Sequence, residues 1–163
     1  MLKNVIGLMS GTSMDGVDAA YLKTNGIDII ETGMAITLPY GESFRNELSE
    51  AVSKGLYSKN VESQITNIHA DAVKHLIKKN GDARGSVDLI GFSGHTIYHI
   101  PNEKKTFQIG DGGMLADLTG IDVVSDFRSN DMINGGQGAP IAPIYHQVLA
   151  KNLKKPVVIL NIG

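Results

Sequence analysis

The sequence has no cysteine, few aromatic residues (6%) and no dominant sign of charge, with 15 basic against 17 acidic residues and a net charge of −2. Without cysteine, a disulfide framework, a Cys-zinc site, a thiol nucleophile and an iron–sulfur cluster are excluded in any compartment. The lysine doublets Lys78-Lys79, Lys104-Lys105 and Lys154-Lys155 are scattered and form no basic stripe of the kind that tracks a phosphate backbone. Nucleic acid is therefore not an expected partner. Apolar runs such as Val157 to Leu160 fall far short of the roughly 20 residues that span a bilayer, and the N-terminus lacks a charged-then-apolar signal pattern. No membrane partner is expected, and a cytoplasmic, globular protein is the default.

What is present is 163 residues, 42% hydrophobic, with 19 glycines. That length suits one domain able to bury about two-thirds of its unfolded surface. No repeat, low-complexity tract or linker divides it. Val5 to Met9 and Val17 to Leu22 flank the turn-rich stretch Ser10 to Gly16, and Asp15-Gly16 is a hairpin signal. With the β-branched run Ile27 to Leu38 they predict an antiparallel meander.

Helical spacing follows. Ser43 is the expected N-cap of a helix carrying Phe44, Leu48, Ala51 and Val52 up to Gly55. Val61, Ile65, Ile68, Ala72 and Leu76 form a second stripe, stopped by Asn80-Gly81. Val87 to Phe92, Thr96 to Ile100 and Thr106 to Ile109 read as three strands, the last two joined by the turn Pro101 to Lys105. Gly110 to Gly113 opens a short helix through Leu118, Ile121 to Val124 is a strand, Pro140 starts a helix, and Pro156 to Ile162 reads as a final strand. This order predicts an α/β fold with a mixed sheet.

Three segments carry chemistry. In Ser10-Gly11-Thr12-Ser13-Met14-Asp15-Gly16, small residues free the backbone and hydroxyls add donors, as in a nest for phosphate oxygens. Asp15 and Asp18 could hold a hydrated magnesium ion there. It is not a Walker loop, which requires Gly-Lys-Ser/Thr leading into a helix, and a plain hairpin turn of the same composition is the alternative. Gly91 to Thr96 follows a buried strand, where open α/β sheets place ligands, and Thr96 can bond a sugar hydroxyl; a glycine bend with a surface histidine is the bland reading. Asp126-Phe127-Arg128-Ser129-Asn130-Asp131, then Asn134 to Pro140, suits an anion or sugar clamp with Arg128 as the bidentate fork, or else a solvated loop with an internal Arg–Asp pair. His95 and His99 are not spaced as a helical metal pair, and His69 and His75 fall on different helix faces, read as solvent-facing or core-edge.

Read together, the run Gly7 to Ala19 closely resembles the opening of the anhydro-N-acetylmuramic acid kinases. So do Gln108-Ile109-Gly110-Asp111, Asp126-Phe127-Arg128 with Asp131, Gly135-Gly136-Gln137-Gly138-Ala139-Pro140, and Asn161-Ile162-Gly163, in register along the whole chain. The resemblance implies an actin-like ATPase fold of the sugar-kinase type, with residues 1–163 as the N-terminal domain of two. It implies hydrolytic opening of the 1,6-anhydro ring and transfer of the ATP γ-phosphoryl to O6, giving N-acetylmuramic acid 6-phosphate in cell-wall sugar recycling. By matching positions, Gly11, Thr12, Ser13, Met14, Asp15, Gly16, Val17 and Asp18 would bind ATP phosphates. Asp15 would reach Mg2+ through water, and Thr96 and Arg128 would contact the amino sugar. The family commonly reads His-Gly-Gln-Thr where this chain has Ser93-Gly94-His95-Thr96. Members are more than twice as long, so the general-base aspartate is expected beyond Gly163 and no catalytic residue is assigned. Two alternatives are a truncated or decayed non-catalytic remnant and a related kinase of another sugar or of acetate. A strand ending at Asn161 without its normal cover would expose apolar surface, and a homodimer or poor solubility is expected.

Overall fold

In the computed structural model, which describes residues 1–81 and 87–160 and all their side chains except that of Ile30, the alternation of Ile6 and Leu8 with exposed neighbours becomes β1 (Lys3–Ser10). β1 pairs antiparallel with β2 (Gly16–Thr24), which pairs antiparallel with β3 (Ile29–Pro39). The predicted meander is formed. α1 (Glu42–Lys54) and α2 (Lys59–Asn80) follow and end at glycines in the left-handed conformation, Gly55 and Gly81. The chain then returns as β4 (Leu89–Ile100), parallel to β1. After a 3₁₀ turn at Pro101–Glu103, β5 (Lys105–Ile109) runs back along the second half of β4. α3 (Gly112–Thr119), β6 (Val123–Ser125), α4 (Ser129–Ile133) and α5 (Ala142–Leu149) complete the order, with β6 parallel to the first half of β4. The result is a mixed sheet, β3-β2-β1-β4-β5, with β6 beside β4 and helices packed against it.

The core lies between the sheet and α1, α2 and α3. Ile6, Val17, Ile90, Phe92 and Ile109 from the strands meet Leu48, Ile65, Val73, Leu76 and Leu115 from the helices, all buried. Both apolar stripes read from the sequence face this core. α2 takes Ser58 as its N-cap through the Val61 N–H, and α3 takes Asp111, whose carboxylate accepts from the Met114 N–H at 2.9 Å. The Asp111 N–H also donates to Thr66 on α2. Asp111→Ala is expected to cost about 1 kcal/mol, a fall in Tm of about 2–4 °C for a chain of this size, read by thermal circular dichroism.

Several expectations are corrected. The segments Val87 to Phe92 and Thr96 to Ile100 belong to one strand, β4, because Gly94 (φ 64°) bends the chain without ending it. Ser43 does not cap α1. The cap is Gly41, without a side-chain bond, and the entry is fixed by the Tyr40 N–H donating to the Asp15 carbonyl at 3.0 Å. The last helix begins at Ala142 rather than Pro140, and its Ile144, Tyr145 and Leu149 are exposed. Residues 156–160 form no strand, since no described neighbour pairs with them, and Val158, Ile159 and Leu160 are exposed; residues 161–163 lie outside the described residues. His69 is fully buried, contrary to its expected place at the core edge, with its ring edge-on to Phe92.

Candidate functional site

Three strands of this sheet run parallel, and that decides where the motifs meet. In the register, Leu8 of β1 lies beside Phe92 of β4, which lies beside Ser125 of β6. The carboxyl ends of β1, of the first half of β4 and of β6 therefore form one row, with the loop Gly11–Asp15 after β1, the Ser93–Gly94 bend in β4, and Asp126 after β6. All three sequence candidates open on the same edge, where open α/β sheets bind ligands.

The first loop is held by its own chemistry. Met14, not a glycine, takes the left-handed conformation (φ 51°), and its N–H closes a turn onto the Gly11 carbonyl at 3.0 Å. Gly16 is needed for another reason: a Cβ there would stand 2.4 Å from the Leu38 carbonyl oxygen of β3. Ser13 donates to the Asp15 carboxylate at 2.7 Å. That hydroxyl, helped by backbone N–H groups and more weakly by Arg45, holds the Asp15 carboxyl below its usual range. Asp18, exposed on β2, accepts from the Thr37 hydroxyl at 2.6 Å. The Tyr40 phenol is pushed up to about 12, chiefly by burial, with the Asp15 and Asp18 carboxylates adding to the shift and the Ser10 hydroxyl opposing it. Val17 is fully buried and contributes packing. A cleft of about 460 Å³ lies between the loop tip and α1, lined by Ser13, Met14, Glu42, Arg45, Asn46 and Ser49.

A second cavity, of about 330 Å³, sits on the row of strand ends. Its polar lining includes Glu62 of α2, Ser93, Gln108, Ser125, Asp126 and Ser129, with Phe92 and Phe107 as apolar wall. Acids, hydroxyls and an amide around an aromatic wall suit a polyhydroxylated ligand of sugar size. Thr96 and Arg128 are not in this lining. Thr96 stands opposite Gln108 on β5. The Arg128 guanidinium donates to the Gly138 carbonyl at 2.8 Å, while Asp131 accepts from the Gly138 N–H at 2.8 Å. Arg128 and Asp131 thus grip one residue of the glycine-rich loop, Gly138, by its carbonyl and its N–H instead of pairing with each other. A Cβ at Gly136 would fall 2.1 Å from the Asp131 carboxylate and would have to push it off the Gly138 N–H.

Sequence reasoning missed two features. Glu62 reaches the cavity from the first turn of α2, with no local signal beyond its place after the Ser58 cap. His95, read as a surface residue beside a glycine bend, is fully buried, with Nδ1 2.8 Å from the Ser10 hydroxyl. Among the described residues no group of three or more His, Asp or Glu side chains is placed to hold a metal ion. Asp15 and Asp18 alone would need water and ligand oxygens to complete a magnesium shell, which suits a hydrated ion arriving with phosphates.

The family described as anhydro-N-acetylmuramic acid kinase matches residues 3–163. A protein of that name from Paramagnetospirillum magneticum is 47% identical over 158 residues, covering 97% of this chain and 44% of the relative. Those from Agrobacterium fabrum and Brucella canis are 43% and 46% identical, each covering 99% of this chain and 47% of the relative. The chain spans about half the length of the curated relatives it matches. No described helix is long and apolar enough to cross a membrane. Matched by the family from residue 3 to residue 163 and 43–47% identical to these relatives over nearly all its length, the chain belongs to the anhydro-N-acetylmuramic acid kinase family.

Proposed function

We propose that the chain carries the phosphate-binding loop and part of the sugar site of an ATP-dependent kinase of 1,6-anhydro-N-acetylmuramic acid. It would form the N-terminal domain of an actin-like, two-domain cytoplasmic enzyme. In the balanced reaction, water adds at the anomeric carbon, the bond from that carbon to O6 breaks, and the freed O6 takes the γ-phosphoryl of ATP. The products are N-acetylmuramic acid 6-phosphate and ADP. The observation that carries the reading is the convergence of the loop Gly11–Asp15, the β4 bend and Asp126 on one row of strand ends.

Residues 11–16 would receive phosphate oxygens on backbone N–H groups and on the Thr12 hydroxyl, with Ser13 holding Asp15, at small cost because the loop is already folded. Asp15 and Asp18 would orient Mg2+ through its waters. The ion supplies neutralisation of the phosphate charge. Glu62, Gln108, Ser93 and Asp126 would bind sugar hydroxyls, and Thr96, outside this lining but opposite Gln108 on β5, would contact the sugar beside them. Arg128, through Gly138, would shape the glycine-rich loop so that the sugar meets a fixed edge. The water-activating base is expected outside these residues. The exposed Ile144, Tyr145 and Leu149 on α5 support self-association as a homodimer, which light scattering across a concentration series would test.

Isothermal titration of the purified chain with magnesium-ATP and, separately, with the anhydro-sugar tests the reading. Asp15→Ala is expected to weaken magnesium-nucleotide binding about tenfold, the equivalent of one lost charge-assisted contact, and to leave sugar binding unchanged. Arg128→Ala should weaken the sugar instead. Silence with both ligands in the wild-type chain would overturn the proposal, and preference for a simple hexose would redirect it to another sugar kinase.

A further inference from the structure

Ser10 is the last residue of β1, buried directly before the loop Gly11–Asp15. Its hydroxyl lies 2.6 Å from the Tyr40 hydroxyl and 2.8 Å from His95 Nδ1. Tyr40 also holds the other end of the loop, since its N–H donates to the Asp15 carbonyl. One buried cluster therefore grips both ends of the five-residue loop. Two of the polar atoms in and around it, His95 Nε2 and His69 Nε2, are fully buried and have no hydrogen-bond partner.

A carbonyl only accepts, so His69 Nδ1, 2.7 Å from the Ile65 carbonyl, carries the proton and leaves Nε2 bare. Ser10 Oγ has one proton and two lone pairs, so it joins the Tyr40 hydroxyl to His95 Nδ1 whichever way the protons run. Removing one member leaves the others short of a partner in a buried site, which is costly where water is excluded.

We propose that His95 is a positioning residue: through Nδ1 it holds the Ser10 hydroxyl, which holds the Tyr40 hydroxyl, and this buried chain clamps the loop Gly11–Asp15 in its ligand-receiving shape. The role rests on the reading that this loop binds magnesium-ATP. A side chain with a polar atom near the Nδ1 position preserves it, and an apolar side chain of similar size does not.

The test uses the 163-residue chain labelled with ¹⁵N. His95→Gln, whose amide can bond the Ser10 hydroxyl from the Nδ1 position, should keep amide exchange in residues 11–16 near wild type. His95→Leu should raise it about tenfold, the factor matching a net loss of one hydrogen bond. Equal protection in both variants would overturn the clamp. Should His95→Leu fail to fold, Tyr40→Phe, which removes the far link of the same chain, should raise exchange in residues 11–16 in its place, and wild-type protection there would overturn the clamp. If the exchange results hold while magnesium-ATP does not bind, the clamp stands and the nucleotide reading fails.

Discussion

Gly94→Val is expected to lower the unfolding free energy by about 4 kcal/mol or more, which places it among the rare severe substitutions. Two independent penalties meet at this position. The backbone lies at φ 64°, where a β-branched residue costs on the order of 1–3 kcal/mol. An added Cβ would also stand 2.6 Å from the Ile109 carbonyl oxygen, a backbone atom of the neighbouring strand that cannot swing away. Relief requires β4 and β5 to part, and with them His95 and Gln108. Gly26 provides the control. It has φ 85° with nothing near its would-be Cβ, so Gly26→Ala should show the conformational penalty alone, about 1 kcal/mol. Urea midpoints at constant m-value separate the two; a Gly94→Val protein as stable as the Gly26→Ala protein would show that β5 does not press on this bend.

The second large effect is expected in acid. Burial pushes the His69 imidazole down to about 4 from the ordinary 6.5; the Ile65 carbonyl opposes the shift and His95 reinforces it. His95 is lowered too, chiefly by its own burial, with a backbone contact at Ser10 opposing. A group with a depressed native pKa binds fewer protons in the folded state. Its histidines take up protons first in the unfolded chain, so stability is intact above about pH 6.5 and falls as the pH drops toward 4. From His69 alone the loss over that window amounts to about 3 kcal/mol. The depressed carboxylates Asp15 and Asp88 act lower, since their contribution is lost only as pH falls below the ordinary carboxylate range. Denaturation midpoints measured from pH 7.5 to 4.5 should slope steeply in the wild type and flatten in His69→Leu. A flat wild-type curve would mean that water reaches His69.

Much of this architecture was legible because it is written in local periodicity. The stripe Val61, Ile65, Ala72, Leu76 can be buried only by a helix, and Ile6 alternating with Leu8 only by a strand. The three motif segments also stood out by their small residues and acids, and the register sets them on one row of strand ends. Illegible were the contacts between segments. Nothing near Gly94 says that the chain bends and continues instead of stopping, because that depends on how β5 lies against it. Nothing near His95 says that it is buried, because its partners are Ser10 and Tyr40. Pro156 to Ile162 has the composition of a strand, but a strand needs a neighbour as well as a pattern, and residues 156–160 pair with none of the described residues. The Arg128–Gly138 bond likewise depends on a loop path that composition does not encode.

The parallel pairing of β1 with β4 has a consequence in time. Ser10 and His95 are 85 residues apart, whereas β1, β2 and β3 pair through short connections. At usual ribosomal rates of about 5–20 residues per second, the loop Gly11–Asp15 emerges roughly 4–17 s before the histidine beneath it. The meander can form in that interval by local contacts, with the buried end of Ser10 still open to water. Closure by β4 then dehydrates Ser10, Tyr40 and His95 together, so the loop acquires its fixed shape in a late step of synthesis rather than when its own residues fold.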